Sequence, residues 1–418
     1  MLARLSLNAA AGIVFLTAAS AAWCQSNPTS NQAELSLPPS GKFVIGAWDG
    51  PAGGADIVEQ YRQFADAGFT HSLTVFVDAE SARAGMAAAQ QAEVKVVVRY
   101  WPHSPTLIPP QMAKLFKDHP AMGGYMLQDE PVISEFPQLL ARTLEVQAID
   151  PDPNKVVAAN LLPSYGGNEM IGLKPSEPYE NYVYKYLSEV PVNTLCYDYY
   201  PLSRRSITRP WYSSLLIMRR ASAQAKIPVW AIIATIGMDL SPDPTLGSVR
   251  VQVYNNAAMG ATGLIHFLYR QEPGMRAAAI DLDGKRTPVY SIIQQVNREL
   301  QAQASVFVGS KGWYTPRWAG PNPPEGYTLF EPSGPIQTLT VAGKGALINR
   351  LEKDHLRFLV IVNQDFIDPM PLSIGLQPQA RIGRVQKDGS VKMLTEPKLE
   401  TKVDPGDAVI LMWQAKGD

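Results

Sequence analysis

The stretch 122–131, MGGYMLQDEP, puts two adjacent carboxylates, Asp129 and Glu130, directly before a proline. Tyr125, Met126 and Leu127 are strand formers, and the preceding glycines allow another backbone to come close. Pro131 stops the ladder, because it has no N–H to donate. Asp129 and Glu130 are therefore expected where a buried strand meets solvent. There Glu130 can serve as a general acid/base, because the charge of Asp129 beside it raises its proton affinity. The plainer alternative is a solvated turn in which the aspartate caps the helix before Ser134 and Glu135.

Other residues able to do chemistry follow apolar runs elsewhere in the chain. They are Trp48 and Asp49, Tyr100 and Trp101, Asn160, Tyr197-Asp198-Tyr199, Thr235, and His266 with Tyr269. Stepping along the chain shows what positions them. β-Branched and aromatic runs lie at 43–50, 71–77, 95–101, 122–131, 155–162, 193–200, 228–236 and 263–269. Segments with helical spacing lie at 55–68, 79–93, 112–119, 134–149, 179–189, 211–226, 248–259 and 288–303. Strict alternation implies parallel strands joined by right-handed crossovers. Eight units in about 265 residues is the length of a (β/α)8 TIM barrel, here placed at 41–309. A doubly wound open sheet loses, because no glycine-rich phosphate turn follows the first strand.

Beyond residue 309 helical periodicity disappears. Short strands at 338–341, 357–363, 372–374, 381–385 and 408–413 are separated by Pro, Gly and Asp, which predicts a small β-sandwich over 310–418. Residues 1–24 have the make-up of a signal peptide: Arg4, an apolar run over 9–22, and small residues at its end. That run is too short to span a bilayer. Cleavage is expected after Ala22 or Cys24. A lipid on Cys24 is the weaker alternative, since Trp23 breaks the small-residue pattern. A polar, Pro-rich linker fills 25–40. Secretion or a periplasmic location follows, and Cys196 is then the one mature thiol, so no disulfide framework is expected.

In a barrel the C-terminal ends of the strands converge on one mouth. The residues gathered there are carboxylates, aromatics and amides, with no metal-spaced cluster and no phosphate loop, so no metal or cofactor is expected. The net charge is −1 without a basic stripe, which argues against nucleic acid. Carboxylates with aromatic platforms suit glycosidic bonds: one carboxyl protonates the leaving oxygen, and a second attacks carbon or activates water. Asp198 is either that second carboxylate or a buried group held by tyrosine hydroxyls. Asp49 either binds sugar hydroxyls, stands in as base, or is a turn residue before Gly50-Pro51. Trp48, Tyr100, Trp101, Asp129, Asn160, Tyr197, Tyr199, His266 and Tyr269 are the expected substrate contacts. For His266 the alternative is a satisfied interior histidine, and for Tyr100 and Trp101 a mere barrel cap.

HPAMGGYMLQDEP resembles the fourth-strand segment of the clan-A-like (β/α)8 glycoside hydrolases, in which Asn-Glu-Pro carries the acid/base glutamate. Glu130 stands at that position, and Asp129 replaces the Asn. The segment 283–300, DGKRTPVYSIIQQVNREL, resembles the last barrel helix of those enzymes. The β-rich tail with its Pro405-Gly406-Asp407 turn resembles their accessory domains. The resemblance spans most of the chain and implies an enzyme cleaving a poly- or oligosaccharide. One departure stands out. The family's nucleophile is a glutamate ending strand seven, whereas 228–239 here, PVWAIIATIGMD, offers only Asp239 beyond the strand. Either Asp198 or Asp49 supplies the second carboxylate, or the protein binds sugars without cleaving them. A polysaccharide lyase, with Arg99, Arg204 or Arg270 holding a uronate, is a third reading.

Overall fold

The computed structural model describes residues 35–39, 41–102, 107–238, 241–313 and 315–415. The signal segment, most of the linker and Asp239 lie outside the described residues. From Leu35 onward the chain forms one compact unit.

Eight parallel strands close into a barrel in sequence order. They are β1 (Val44–Trp48), β2 (His71–Thr74), β3 (Lys95–Arg99), β4 (Met122–Asp129), β5 (Val156–Leu161), β6 (Leu195–Asp198), β7 (Val229–Ala234) and β8 (Ala261–Phe267). The main helix after each is, in turn, α1 (Ile57–Asp66), α2 (Ala79–Gln91), α3 (Pro109–Phe116), α4 (Phe136–Ile149), α5 (Glu180–Glu189), α6 (Pro210–Ala225), α7 (Leu246–Ala258) and α8 (Pro288–Ala302). Side chains alternate along each strand. Trp48, Leu73, Val97, Met126, Ala158, Cys196, Trp230, Ile232 and Ile265 fill the barrel interior. Ala47, Val98, Leu127, Ala159, Tyr197 and Ile233 face outward and pack under the helices. The lumen is thus a packed core, which leaves the layer above it as the place for a site.

The C-terminal part is a two-layer β structure, as its turn-punctuated strands predict. One layer holds eight strands: β9 (Lys311–Gly312), β10 (Arg317–Ala319), β11 (Thr328–Leu329), β13 (Ala346–Lys353), β14 (Leu356–Asn363), β16 (Gly383–Val385), β17 (Val391–Met393) and β19 (Ala408–Gln414). The other layer holds β12 (Ile336–Val341), β15 (Met370–Leu376) and β18 (Lys398–Val403). The larger sheet is buried on both faces. Phe358, Val360, Val362, Ile410 and Met412 join the barrel's core. Leu359, Ile361, Val409 and Leu411 point the other way, into the space between the two sheets. This is why LRFLVIVN and AVILMWQ read as almost continuous apolar runs.

Candidate functional site at the barrel mouth

β4 positions its acids by breaking its own register. Met126 pairs with Ala158, but the next registered pair is Asp129 with Asn160, so β4 carries one extra residue. Such a bulge re-aims the residues after it. Leu127 and Gln128 both turn outward. Leu127 enters the core under the helices. The Gln128 amide donates to Glu135 at 3.0 Å and accepts from Arg142 at 3.3 Å. Asp129, which regular alternation would send outward, swings in over the lumen. Glu130 follows with φ 46, and its N–H donates to the Asn160 carbonyl at 2.8 Å. A non-glycine residue in the left-handed region costs on the order of 1–3 kcal/mol and persists only where surroundings enforce it. Here the enforcing partners are the Asn160 carbonyl and Pro131, whose own carbonyl accepts from Tyr182 at 2.6 Å.

Asp49 repeats this device at the end of β1, with φ 54. Its carboxylate takes a charge-assisted bond from Arg99, the inward last residue of β3. The Arg99 guanidinium lies 4.3 Å from the Trp48 ring centroid and 5.3 Å from that of Trp101. Both are cation–π distances. Trp101 is 38% exposed and offers its outer face to solvent. On the opposite flank the Asn160 amide donates to Asp129 at 2.9 Å and to Asp198 at 3.3 Å. Asp198 is only 3% exposed. One amide thus bridges two carboxyls on the floor of the mouth.

Burial, with little compensating positive charge, sets the electrostatics. Desolvation, with the charge of Asp129 adding to it, pushes the Glu130 carboxyl up to about 7. Burial drives Asp198 far above the carboxylate range, helped by Glu130 and Asp129. Asp129 is raised by burial as well, an effect opposed by the Asn160 bond and by Arg99. A desolvated carboxyl beside like charges keeps its proton near neutrality. Among the described residues no group of three His, Cys, Asp or Glu side chains is placed to hold a metal ion.

The structure brings together Trp48, Asp49, Trp101, Asp129, Glu130, Asn160 and Asp198. It sends five expected contacts to the outer face of the wall: Tyr100, Tyr197, Tyr199 and His266 by period two, and Tyr269 because alternation breaks after Phe267, where Leu268 also turns inward. Tyr100 lies beneath the Arg142 guanidinium of α4 at 3.8 Å. The Tyr197 hydroxyl donates to Asn256 at 2.8 Å, under α7. Tyr199 is buried in the outer core. His266 packs edge-on against Phe69 at 5.2 Å and bonds Asn297, and burial drives its imidazole down to about 4, hence neutral. Tyr269 packs edge-on against Phe64 at 4.9 Å. Thr235, at the end of β7, is fully buried, with no partner for its hydroxyl.

Three mouth residues escaped the sequence reading. Tyr200 stacks on Phe267 at 5.3 Å, and its phenol feels Asp198, Asp129 and Glu130. Its position, two after Asp198, was the available signal. Tyr165, 53% exposed, stands edge-on to Tyr199 at 4.9 Å, near Asp198 and Glu130. Glu272, in the loop after β8, has its carboxyl raised by burial and by the nearby Asp49 charge. Neither of these two lies in a regular strand, so no periodicity marks them.

No family model matches the chain, and no curated protein matches it. Solved structures do. A catalytic mutant of a GH42 β-galactosidase from G. stearothermophilus superposes with a TM-score of 0.59 at 7% identity, over 89% of this chain and 98% of that one. An Anoxybacillus α-amylase superposes with a TM-score of 0.52 at 9% identity, over 90% of this chain and 98% of that one. At these identities what is shared is the fold.

Proposed function

We propose that the barrel mouth is the active site of a glycoside hydrolase acting on a poly- or oligosaccharide, with Glu130 as general acid/base. The observation that carries this reading is Glu130 itself. It is half-buried, fixed by a register break and a strained backbone, and protonated until about pH 7. A carboxyl in that state can donate its proton to a glycosidic oxygen as the C–O bond breaks, and take one back afterwards. Trp101 supplies an exposed flat face for a sugar ring, and Tyr165 a neutral phenol beside the acid. Asp129 and Asn160 act on Glu130 rather than on substrate. The composition of residues 1–24 supports export, which suits a substrate too large to enter a cell.

The test is a screen of the full chain against a broad glycan panel, followed by Glu130→Gln on any glycan turned over. General acid–base catalysis contributes about 10²–10⁴-fold, so the variant loses activity of that order on natural glycans. It loses less on aryl glycosides with good leaving groups. Equal rates would remove Glu130 from the chemistry.

A second reading, sugar binding without cleavage, is favoured by one observation: Asp198, the expected second carboxylate, is closed off from solvent. Saturable glycan binding with no turnover across the panel would establish it. Of the arginines a lyase would use, Arg99 pairs with Asp49, Arg270 donates to Gln60 at 2.8 Å, and Arg204 is exposed.

A further inference from the structure

At one end of the two-layer β structure the larger sheet outruns the smaller. In the smaller sheet Ile336 of β12 pairs with Leu376 of β15, and β15 stops there. In the larger sheet Arg357 of β14 stands directly opposite Trp413 of β19. Trp413 packs with Leu359, Ile361 and Leu411 in the gap between the sheets. Arg357, two residues before Leu359, shares that face. Beyond the Ile336–Leu376 pair a cavity of about 550 Å³ opens over Arg357 and Trp413. We propose that this cavity is a second ligand site, which takes an acidic sugar of the uronate class, Arg357 and Arg381 holding the carboxylate and glutamine amides the hydroxyls. The cavity shares no residue with the barrel mouth, and the inference does not depend on the glycosidase reading.

The chemistry of the wall selects that ligand. Among the described residues lining the cavity are Arg357 and Arg381, with Gln377, Gln379 and Gln414, and no carboxylate. A guanidinium fork matches the two oxygens of a carboxylate. An amide both donates to and accepts from a hydroxyl. Small-ligand pockets run from about 300 to 1,000 Å³, so the volume suits a sugar.

The charge of Arg357 is only partly met within the protein. Among the described residues one carboxylate, Glu352, is within ion-pair reach, 3.5 Å from its Nε. The same Glu352 oxygen lies 3.0 Å from Nη2 of Arg350. One acid therefore serves two guanidiniums. The Arg357 Nε is buried and makes no hydrogen bond. Buried donors are satisfied in nearly all folded proteins. An anion in the cavity supplies the missing charge.

The rim is a folded device, not a slack connection. The Gln377 N–H donates to Pro335 O at 2.8 Å and ties the two walls together. The Ala380 N–H donates to Gln377 O at 3.1 Å and closes a turn. Within that turn Gln379 has φ 66. A non-glycine residue held there costs about 1–3 kcal/mol, and such residues gather at ligand clamps. Gly334 lies over the indole. A Cβ on it would stand 3.9 Å from Trp413 Cζ2 and 4.0 Å from Nε1, so the glycine leaves that edge of the ring uncovered by a side chain.

The experiment titrates the full chain calorimetrically with galacturonate, trigalacturonate, galactose and phosphate. Expected is saturable binding of both galacturonate ligands, with galactose and phosphate about tenfold weaker or more. Arg381→Gln, at an exposed position, and Arg357→Gln should each weaken galacturonate about tenfold or more, the size of one charge-assisted hydrogen bond. Their circular dichroism spectra should match wild type. Glu130→Gln should bind as wild type does, which keeps the ligand away from the barrel mouth. Tighter binding of the trimer marks a unit of a chain as the ligand, and equal binding marks a free sugar. Galactose or phosphate binding as well as galacturonate overturns the uronate assignment. Binding that survives both arginine variants, or is lost in Glu130→Gln, overturns the site. No saturable binding of either galacturonate ligand overturns it too, and leaves the glycosidase reading standing.

Discussion

Glu130 gains a proton affinity on folding, and that gain has consequences for stability as well as rate. Its affinity rises from an ordinary 4.5 to about 7, through burial first and the charge of Asp129 second. The folded state therefore binds this proton more tightly than the unfolded chain does. The resulting stabilisation is fully present below about pH 4.5 and is lost as pH rises through about 7. Asp198 is shifted in the same direction, so the two reinforce each other. Glu130→Gln keeps the hydrogen-bonding shape and never ionises. Its Tm should exceed that of wild type at about pH 8, and the gap should close towards about pH 5. A gap independent of pH would show that Glu130 does not titrate in this window. Activity should respond as well. Asp129→Asn removes the adjacent charge and recreates the Asn-Glu-Pro pattern that the segment resembles. Glu130 then ionises more easily, so the alkaline limb of kcat/KM should move to lower pH. An unmoved limb would assign it to another group.

At the scale of the element, β4 depends on a glycine that no side chain can replace. Gly124 has φ 142, and a Cβ there would lie 2.2 Å from Val156 O and 2.5 Å from Val156 N. These are backbone atoms of β5, so the two strands must part. Gly124→Ala should cost about 3 kcal/mol by denaturant unfolding, at the upper end of overpacking effects. It should also impair turnover, because the bulge aiming Glu130 begins three residues on, at Leu127. Gly41→Ala, whose Cβ meets nothing within 4 Å, is the control and should be silent. The strands and helices of the barrel were legible from periodicity alone, since apolar runs and helical stripes record burial directly. The facing of side chains was legible only where alternation was applied. Tyr197 and Tyr199 flank Asp198 in sequence and therefore face away from it, whereas Tyr200 shares its face. The β4 bulge left no such mark, because an extra residue changes register and not composition. Glu272 was illegible for a related reason: Asp49, whose charge it feels, lies 223 residues earlier and comes near it only through barrel closure. β13 and β18 were missed because charged ends, as in ALINRLEK and KLETKV, mask their alternation.

The whole molecule is held together by a layer that belongs to neither part alone. In α7 every residue from Gly247 to Ala258 is buried. A helix buried all round needs neighbours on both sides, and these are the barrel wall and the larger C-terminal sheet. Polar groups cross the same boundary. The Asn349 amide donates to Ala258 O at 2.8 Å, Gln364 to Asn255 at 3.1 Å, and the Tyr212 hydroxyl to Gln364 at 2.9 Å. Arg250 of α7 forms a two-pronged bond with Glu299 of α8, at 3.0 and 2.5 Å, and reaches Asp407 at 3.5 Å. Lys387 joins Asp407 and lies 3.9 Å from Glu299. Removing one side of such a network leaves buried polar groups without partners, at about 1–3 kcal/mol each. Truncation after residue 309 would strip the outer side of α7 and strand the Asn255 amide, the Tyr212 hydroxyl and the Ala258 carbonyl together. The truncated barrel should therefore aggregate or bind a hydrophobic dye, with a strongly lowered Tm, although every residue of the mouth is retained. A monodisperse truncated barrel on size exclusion, with unchanged Tm and turnover, would show that the sheets are an appendage and that α7 needs only the barrel.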